Sequence, residues 1–191
     1  MQRIGLFGGS FDPVHLGHLL VAQAALEELE LEKVFFIPAA QSPFKPDRTL
    51  APGAERLKLL RLALSGQTLY EIDGQEIDRG GVSYTIDTVR AYARRFAGGE
   101  LFYLVGADQV GQLPKWREAN DLAGLVEFVI IPRPGQAGAH PPANFRIRSL
   151  MGFPLGVSSS QIRERVRTGR SIEFLVGPAV AEAICNNRLY L

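Results

Sequence analysis

The sequence predicts an α/β fold built on one parallel sheet of about five strands. Short apolar runs alternate along the chain with longer segments whose apolar residues recur at three- and four-residue spacing. The run at 33–38 is apolar after Lys33, as a parallel strand covered on both faces requires. The glycine-rich and polar joints fall where strands give way to helices, the edge at which open α/β sheets take ligands. A Rossmann-like, doubly wound sheet is therefore expected, with helices on both faces and a small helical C-terminal part.

Taken in order, residues 3–7 read as a short apolar strand that runs into Gly8 and Gly9. Residues 16–31 read as a helix, with Leu16, Leu19, Leu20, Ala24, Leu26 and Leu29 on one face. Asp12 or a neighbour is expected to cap it, with Pro13 near its first position. A strand at 33–38, a proline-rich loop at 39–53 holding Lys45 and Arg48, and a helix at 54–65 follow. Residues 68–72 form a weaker strand, and 73–82 are polar and glycine-rich. A helix at 83–97 opens on Ser83, Tyr84 and Thr85 and buries Ile86, Val89 and Tyr92 or Ala93. Strands at 100–105 and 126–131 complete the sheet, and 132–144 is a Pro/Gly/Ala-rich connection. Two short helices end the chain, at 159–168 and 178–186, and the apolar stretch 172–176 between them carries no assignable state. Residues 1–191 are expected to form one unit, its core sheet over about 1–150 and its helical part over about 157–191.

Composition narrows the function by exclusion. At 191 residues and 46% hydrophobic, the chain is long enough for a proper core. A net charge of +1 gives no global field for nucleic acid or membrane, so any phosphate site must be a local cluster. The single cysteine, Cys185, excludes an internal disulfide and fits a reducing compartment. It lies among Val180, Ala181 and Ile184 and reads as a small core residue. No leader or membrane-spanning run is evident, and a cytoplasmic location is expected.

The chemistry concentrates in residues 8–18. Two glycines alone would make only a tight turn. Here they precede Asp12 and Pro13, with His15 and His18 three apart and so on one face of a helical first turn. Unpaired amides at a helix start suit a phosphate, and two imidazoles can donate to its oxygens. The G-x-G-x-x-G dinucleotide fingerprint and the G-x-x-x-x-G-K-[ST] P-loop are both absent, so a dehydrogenase or P-loop NTPase is disfavoured. Ser158 with Gln161 has the spacing of a capping box. The same serines with Arg163 one turn in also make a phosphate clamp. Alone the two readings stand level; beside the first motif the clamp gains.

Gly8-Gly9-Ser10-Phe11-Asp12-Pro13-Val14-His15-Leu16-Gly17-His18 resembles the signature of nucleotidylyltransferases with paired histidines. Later motifs narrow the resemblance to bacterial-type nicotinate-nucleotide adenylyltransferase, almost end to end. Ser42-Pro43-Phe44-Lys45 is similar to the family's Pro-Pro-His-Lys, with Phe44 in place of the histidine. Ser158-Ser159-Ser160-Gln161-Ile162-Arg163 resembles Ser-Ser-Thr-x-Ile-Arg, with Ser160 in place of the threonine. Ser83 to Thr88 resembles Ser-Tyr-Thr-x-Asp-Thr. The resemblance implies that Gly8, Gly9, Ser10, Phe11, His15, His18, Lys45, Ser158, Ser159, Ser160 and Arg163 bind ATP. Of these, His15, His18, Lys45 and Arg163 would act in catalysis. It also implies a nicotinate mononucleotide subsite formed by Tyr84, Thr85, Gly106, Asp108, Trp116, Arg117 and Arg133.

The reaction so implied is adenylyl transfer from ATP to nicotinate mononucleotide. It yields nicotinate adenine dinucleotide and pyrophosphate, in NAD biosynthesis. Magnesium would accompany ATP, mostly water-bound, with no protein ligand identifiable. Arg117 stands where the family often has tyrosine, and is expected either to line the carboxylate pocket or to face solvent. The alternatives are transfer to nicotinamide mononucleotide or phosphopantetheine, or a non-catalytic nucleotide sensor. Neither nucleic acid nor membrane is an expected partner, and the chain is expected to be a monomer or small homo-oligomer.

Overall fold

The computed structural model describes residues 1–43, 49–132, 142–153 and 155–191. The chain alternates as expected. Strand β1 (Arg3–Gly9) leads to α1 (Leu16–Glu28), β2 (Lys33–Pro38), α2 (Gly53–Ala63) and β3 (Tyr70–Ile72). Next come α3 (Gln75–Arg79), α4 (Thr85–Arg95), β4 (Glu100–Gly106), α5 (Ala107–Val110) and a 3₁₀ turn (Leu113–Lys115). Helix α6 (Ala119–Leu125), strands β5 (Glu127–Ile131) and β6 (Ile147–Ser149), and helices α7 (Ser159–Arg167), α8 (Glu173–Val176) and α9 (Pro178–Asn186) follow.

The described strands form one sheet in the order β3-β2-β1-β4-β5-β6, and every pairing is parallel. Chain direction across the sheet reverses between β1 and β4. At such a switch point the connections after the two strands leave in opposite directions and open a crevice at the carboxyl edge. The glycine turn after β1 and Gly106 at the end of β4 flank that crevice.

Strand residues alternate between two cores. Phe7, Val34, Phe36, Phe102, Leu104 and Val129 join α1, α2, α7 and α9 on one face. Leu6, Phe35, Ile37, Tyr103, Val105 and Phe128 join α4 and α6 on the other. Full burial of such side chains stabilises by about 1.5–3 kcal/mol each. Both faces are covered, which is why the central strands read as continuous apolar runs.

Five local expectations are corrected. A sixth strand, β6, lies in a stretch with no apolar run: Arg148 and Ser149 are exposed. It forms because β5 supplies a ladder, with Phe128 N–H donating to Arg146 O at 2.8 Å and Leu150 N–H to Ile130 O at 3.1 Å. The polar stretch after β3 contains α3, opened by Asp73, whose Oδ1 accepts from Gln75 N–H at 2.9 Å. Helix α1 is capped by His15, and Asp12 and Pro13 precede it. The N-cap of α4 is Tyr84, with no side-chain cap, because the Ser83 hydroxyl is engaged by Ala40 N–H at 2.9 Å. Cys185 is exposed. Val180 and Ile184 share the inward face of α9, and one residue further turns the chain about 100° away from it. The unassigned stretch at 172–176 becomes α8.

Candidate active site

The glycine turn brings the two histidines together. His15 has extended backbone angles (φ −148°, ψ 169°), so its ring lies over the first turn of α1. The rings of His15 and His18 stack with centroids 3.7 Å apart. His15 N–H donates to His18 Nδ1 at 3.2 Å. With Nδ1 accepting, a neutral His18 carries its proton on Nε2. Phe11 is fully buried against His18 and Phe7, so its ring is floor, and only its backbone is left for a ligand.

A buried frame holds this turn. Asp12 is 1% exposed; its Oδ1 accepts from Ala51 N–H at 3.1 Å. Arg163 Nη1 donates to Asp12 O at 2.6 Å and lies 3.6 Å from Asp12 Oδ2. Arg163 Nη2 donates to Ser160 Oγ at 3.0 Å, and Ser159 Oγ donates to Pro13 O at 2.9 Å. Ser158 does cap α7: its Oγ accepts from Gln161 N–H at 3.3 Å, and Gln161 Oε1 accepts from Ser158 N–H at 2.8 Å. The box thus occupies Ser158, while Ser159 and Arg163 tie the start of α7 to the histidine turn at Pro13 and Asp12. Arg56, 2% exposed, ties three segments together, donating to Ser10 O and Ala39 O at 2.8 Å and to Ala51 O at 3.0 Å. Burial and the nearby Asp12 carboxylate push the Tyr190 phenol up, beside the same frame.

Across the crevice lies a cavity of about 260 Å³, lined by Gly8, Gly9, Ser10, Thr85, Asp108 and Trp116 among others. Tyr103 rises from β4 into its wall, its hydroxyl 3.4 Å from Thr85 Oγ1. Burial pushes this phenol up, and the Glu76 carboxyl adds to that. The Trp116 ring is held edge-on by Tyr103 and Phe128, each with centroids 6.0 Å away. Thr85 and Trp116 also line a neighbouring cavity of about 280 Å³, together with Tyr84, Lys115 and Arg117. Arg117 is exposed, lines that second cavity, and sets its guanidinium 4.7 Å over the Tyr84 ring. No described side chain caps α4, whose first residue, Thr85, lines both cavities, so its first amides have no side-chain acceptor.

Apart from Phe11 in the floor and Tyr84 and Arg117 in the second cavity, the expected residues among those described fall into two groups. Gly8, Gly9, Ser10, Thr85, Gly106, Asp108 and Trp116 share one cavity. His15, His18, Ser158, Ser159, Ser160 and Arg163 stand on the other side of the turn, outside that lining. Phe44, Lys45 and Arg133 lie outside the described residues.

This arrangement has relatives. The profile of the cytidylyltransferase-like family matches residues 6–165. A protein of Shouchella clausii named as a probable nicotinate-nucleotide adenylyltransferase is 42% identical, over 100% of this chain and 97% of its own. One of Opitutus terrae with the same name is 38% identical, over 99% and 98%. The chain belongs to the nicotinate-nucleotide adenylyltransferase family. Its fold is also that of the Plasmodium falciparum nicotinic acid mononucleotide adenylyltransferase solved with NaAD (TM-score 0.78, 16% identity, covering 100% of this chain and 98% of that one).

Within this adenylyltransferase fold, sequence reasoning missed Arg56, Tyr103 and Glu76, and it read Asp12 as a cap. Tyr103 reads as strand filler and Arg56 as one more helical cation, since neither has a neighbour in sequence that marks it. Asp12 alone carried a signal, its place inside the histidine motif.

Proposed function

We propose that this chain transfers the adenylyl group of ATP to nicotinate mononucleotide. The carrying observation is the shared cavity, which joins the glycine turn to Thr85 and Trp116. A mononucleotide lying in it reaches the turn with its phosphate while its ring lies against Trp116, and its carboxylate meets the open start of α4. Residues 1–191 act as one nucleotidylyltransferase unit in this reading.

In the reaction, an oxygen of the 5′-phosphate attacks the α-phosphorus of ATP in line. The bond from that phosphorus to the β-bridging oxygen breaks, and pyrophosphate leaves with the electron pair. The attacking oxygen is already anionic, so no general base is required. Catalysis reduces to positioning and charge stabilisation. His18, through Nε2, and His15 would donate to phosphate oxygens as charge builds on them. Arg163, held by Asp12 O and Ser160 Oγ, would face the departing pyrophosphate, together with Lys45. Backbone amides of Gly9, Ser10 and Phe11 would cradle the chain of phosphates.

Magnesium belongs to this reading as the counter-ion of ATP. Among the described residues no cluster of His, Cys, Asp and Glu is arranged to hold a metal. In this reading the ion is carried on phosphate oxygens and water rather than in a protein cage. The single, exposed Cys185 is compatible with a reducing, cytoplasmic setting.

The test is magnesium-dependent pyrophosphate release from ATP, with nicotinate and nicotinamide mononucleotides in parallel. Strong release with the acid and little with the amide is expected. Equal release would sink the carboxylate subsite at Thr85, and release with neither would overturn the reaction itself.

A further inference from the structure

Glu76 is an acid with no part in the chemistry just described. It stands on α3, is 5% exposed, and still lines the cavity with Thr85. Two hydroxyls from the next segment engage it. Thr88 Oγ1 donates to Glu76 Oε1 at 2.6 Å, and the nearby Ser83 side chain favours the charged form of the acid. Ser83 immediately precedes the N-cap of α4, and Thr88 lies one turn inside that helix. Ser83 Oγ also accepts from Ala40 N–H at 2.9 Å, and Ser83 N–H donates to Gln41 O at 2.9 Å. Glu76 thereby joins three segments: α3, the start of α4, and the chain leaving β2.

The choice of residue is expensive. Burial pushes the Glu76 carboxyl up and the Asp73 carboxylate adds to this, while Thr88, Ser83 and Arg79 oppose it. A buried acid destabilises unless its hydrogen bonds are complete. A carboxylate offers each hydroxyl an oxygen of its own, whereas an amide offers one shared oxygen and adds an NH2 group that needs its own acceptors. Thr85 sits between the two hydroxyl residues in sequence. Its own hydroxyl meets Tyr103 at 3.4 Å, opposite the glycine turn.

We propose that Glu76 is a positioning residue for the mononucleotide side of the cavity: through Thr88 and Ser83 it fixes the first turn of α4, and with it Thr85, against Tyr103. It sets the affinity for the mononucleotide and leaves the ATP side at the histidines untouched. The inference rests on the assignment of Thr85 to the nicotinate mononucleotide subsite.

The experiment compares wild type, Glu76→Ala, Glu76→Gln and Thr88→Val by steady-state kinetics, varying ATP and nicotinate mononucleotide in turn. Displacement of a reacting group by about 1 Å costs on the order of 100-fold, and release of one helix turn is expected to raise the mononucleotide KM by at least about tenfold in Glu76→Ala. The ATP KM is expected to stay within about twofold, because the frame of Asp12, Arg56 and Arg163 is separate. Glu76→Gln, which keeps one acceptor, should recover most of the loss. Thr88→Val should mimic Glu76→Ala, and the double variant should be no worse than the worse single. Equal rises in both KM values, or a lowered melting temperature with unchanged kinetics, would overturn the proposal and leave Glu76 a structural acid. Failure of wild type to turn over nicotinate mononucleotide would instead remove the reading on which it rests.

Discussion

Gly8→Ala tests how closely β1 and β4 approach beneath the cavity. A methyl group at Gly8 would lie 2.3 Å from Tyr103 Oη and 3.1 Å from its Cζ. Ordinary contact begins near 3.4 Å, so the hydroxyl must retreat by about 1.1 Å. It has little room to do so. Tyr103 is 8% exposed, and its ring is gripped edge-on by Trp116 and Phe128. Overpacking of this kind costs about 1–3 kcal/mol, and in a chain of this size each kcal/mol lowers the melting temperature by about 2–4 °C. Activity should suffer more than stability. Moving Tyr103 moves the contact of its hydroxyl with Thr85, and a displacement near 1 Å is worth on the order of 100-fold in kcat/KM. Adding Tyr103→Phe removes the clashing oxygen, leaves the 3.1 Å approach to Cζ, and should restore most of the stability. Thermal melting and pyrophosphate-release kinetics on the two single variants and the double variant decide the matter. A Gly8→Ala protein with wild-type melting and turnover, or a double variant no better than Gly8→Ala, would refute the argument.

Three further outcomes are expected. His18→Ala should lose on the order of 10²–10³ in turnover, as when one charge-stabilising donor is removed, while circular dichroism stays unchanged. Ser158→Ala breaks the capping box of α7 and should cost about 1 kcal/mol in urea unfolding, since Gln161 N–H loses its acceptor. The third concerns pH. Folded Glu76 holds its proton more tightly than an ordinary glutamate near 4.5, because it is buried. Its contribution to stability is therefore complete below that ordinary value and is lost as pH rises through the higher folded value. Urea midpoints measured upward from pH 4.5 should fall less steeply for Glu76→Gln than for wild type. Parallel curves would show that Glu76 does not titrate differently on folding.

The Asp12 to Arg163 contact shows where reading the chain stops. Both residues stand in motifs that the sequence displays, 151 positions apart, but nothing local says that the guanidinium donates to the Asp12 carbonyl. Arg56 is harder still. It looks like a surface cation in a helix, and only the convergence of Ser10, Ala39 and Ala51 on one point makes it a buried tie. Strand β6 has the same origin, since its three residues carry no apolar pattern and pair because β5 already stands beside them.

Alone, the sequence determined the alternation of strands and helices, the glycine turn with its paired histidines, the spacing of a capping box at α7 and the family to which the chain belongs. Those features are written in windows of a few residues, where backbone geometry, helical periodicity and capping chemistry act between near neighbours. Tertiary structure decided that Gly8 must lack a side chain because of Tyr103, that Glu76 faces the cavity, and that Cys185 faces solvent. Each depends on which distant segment comes to lie a few ångströms away. Close packing makes such encounters specific, while the side chains involved look ordinary in their own stretch of chain.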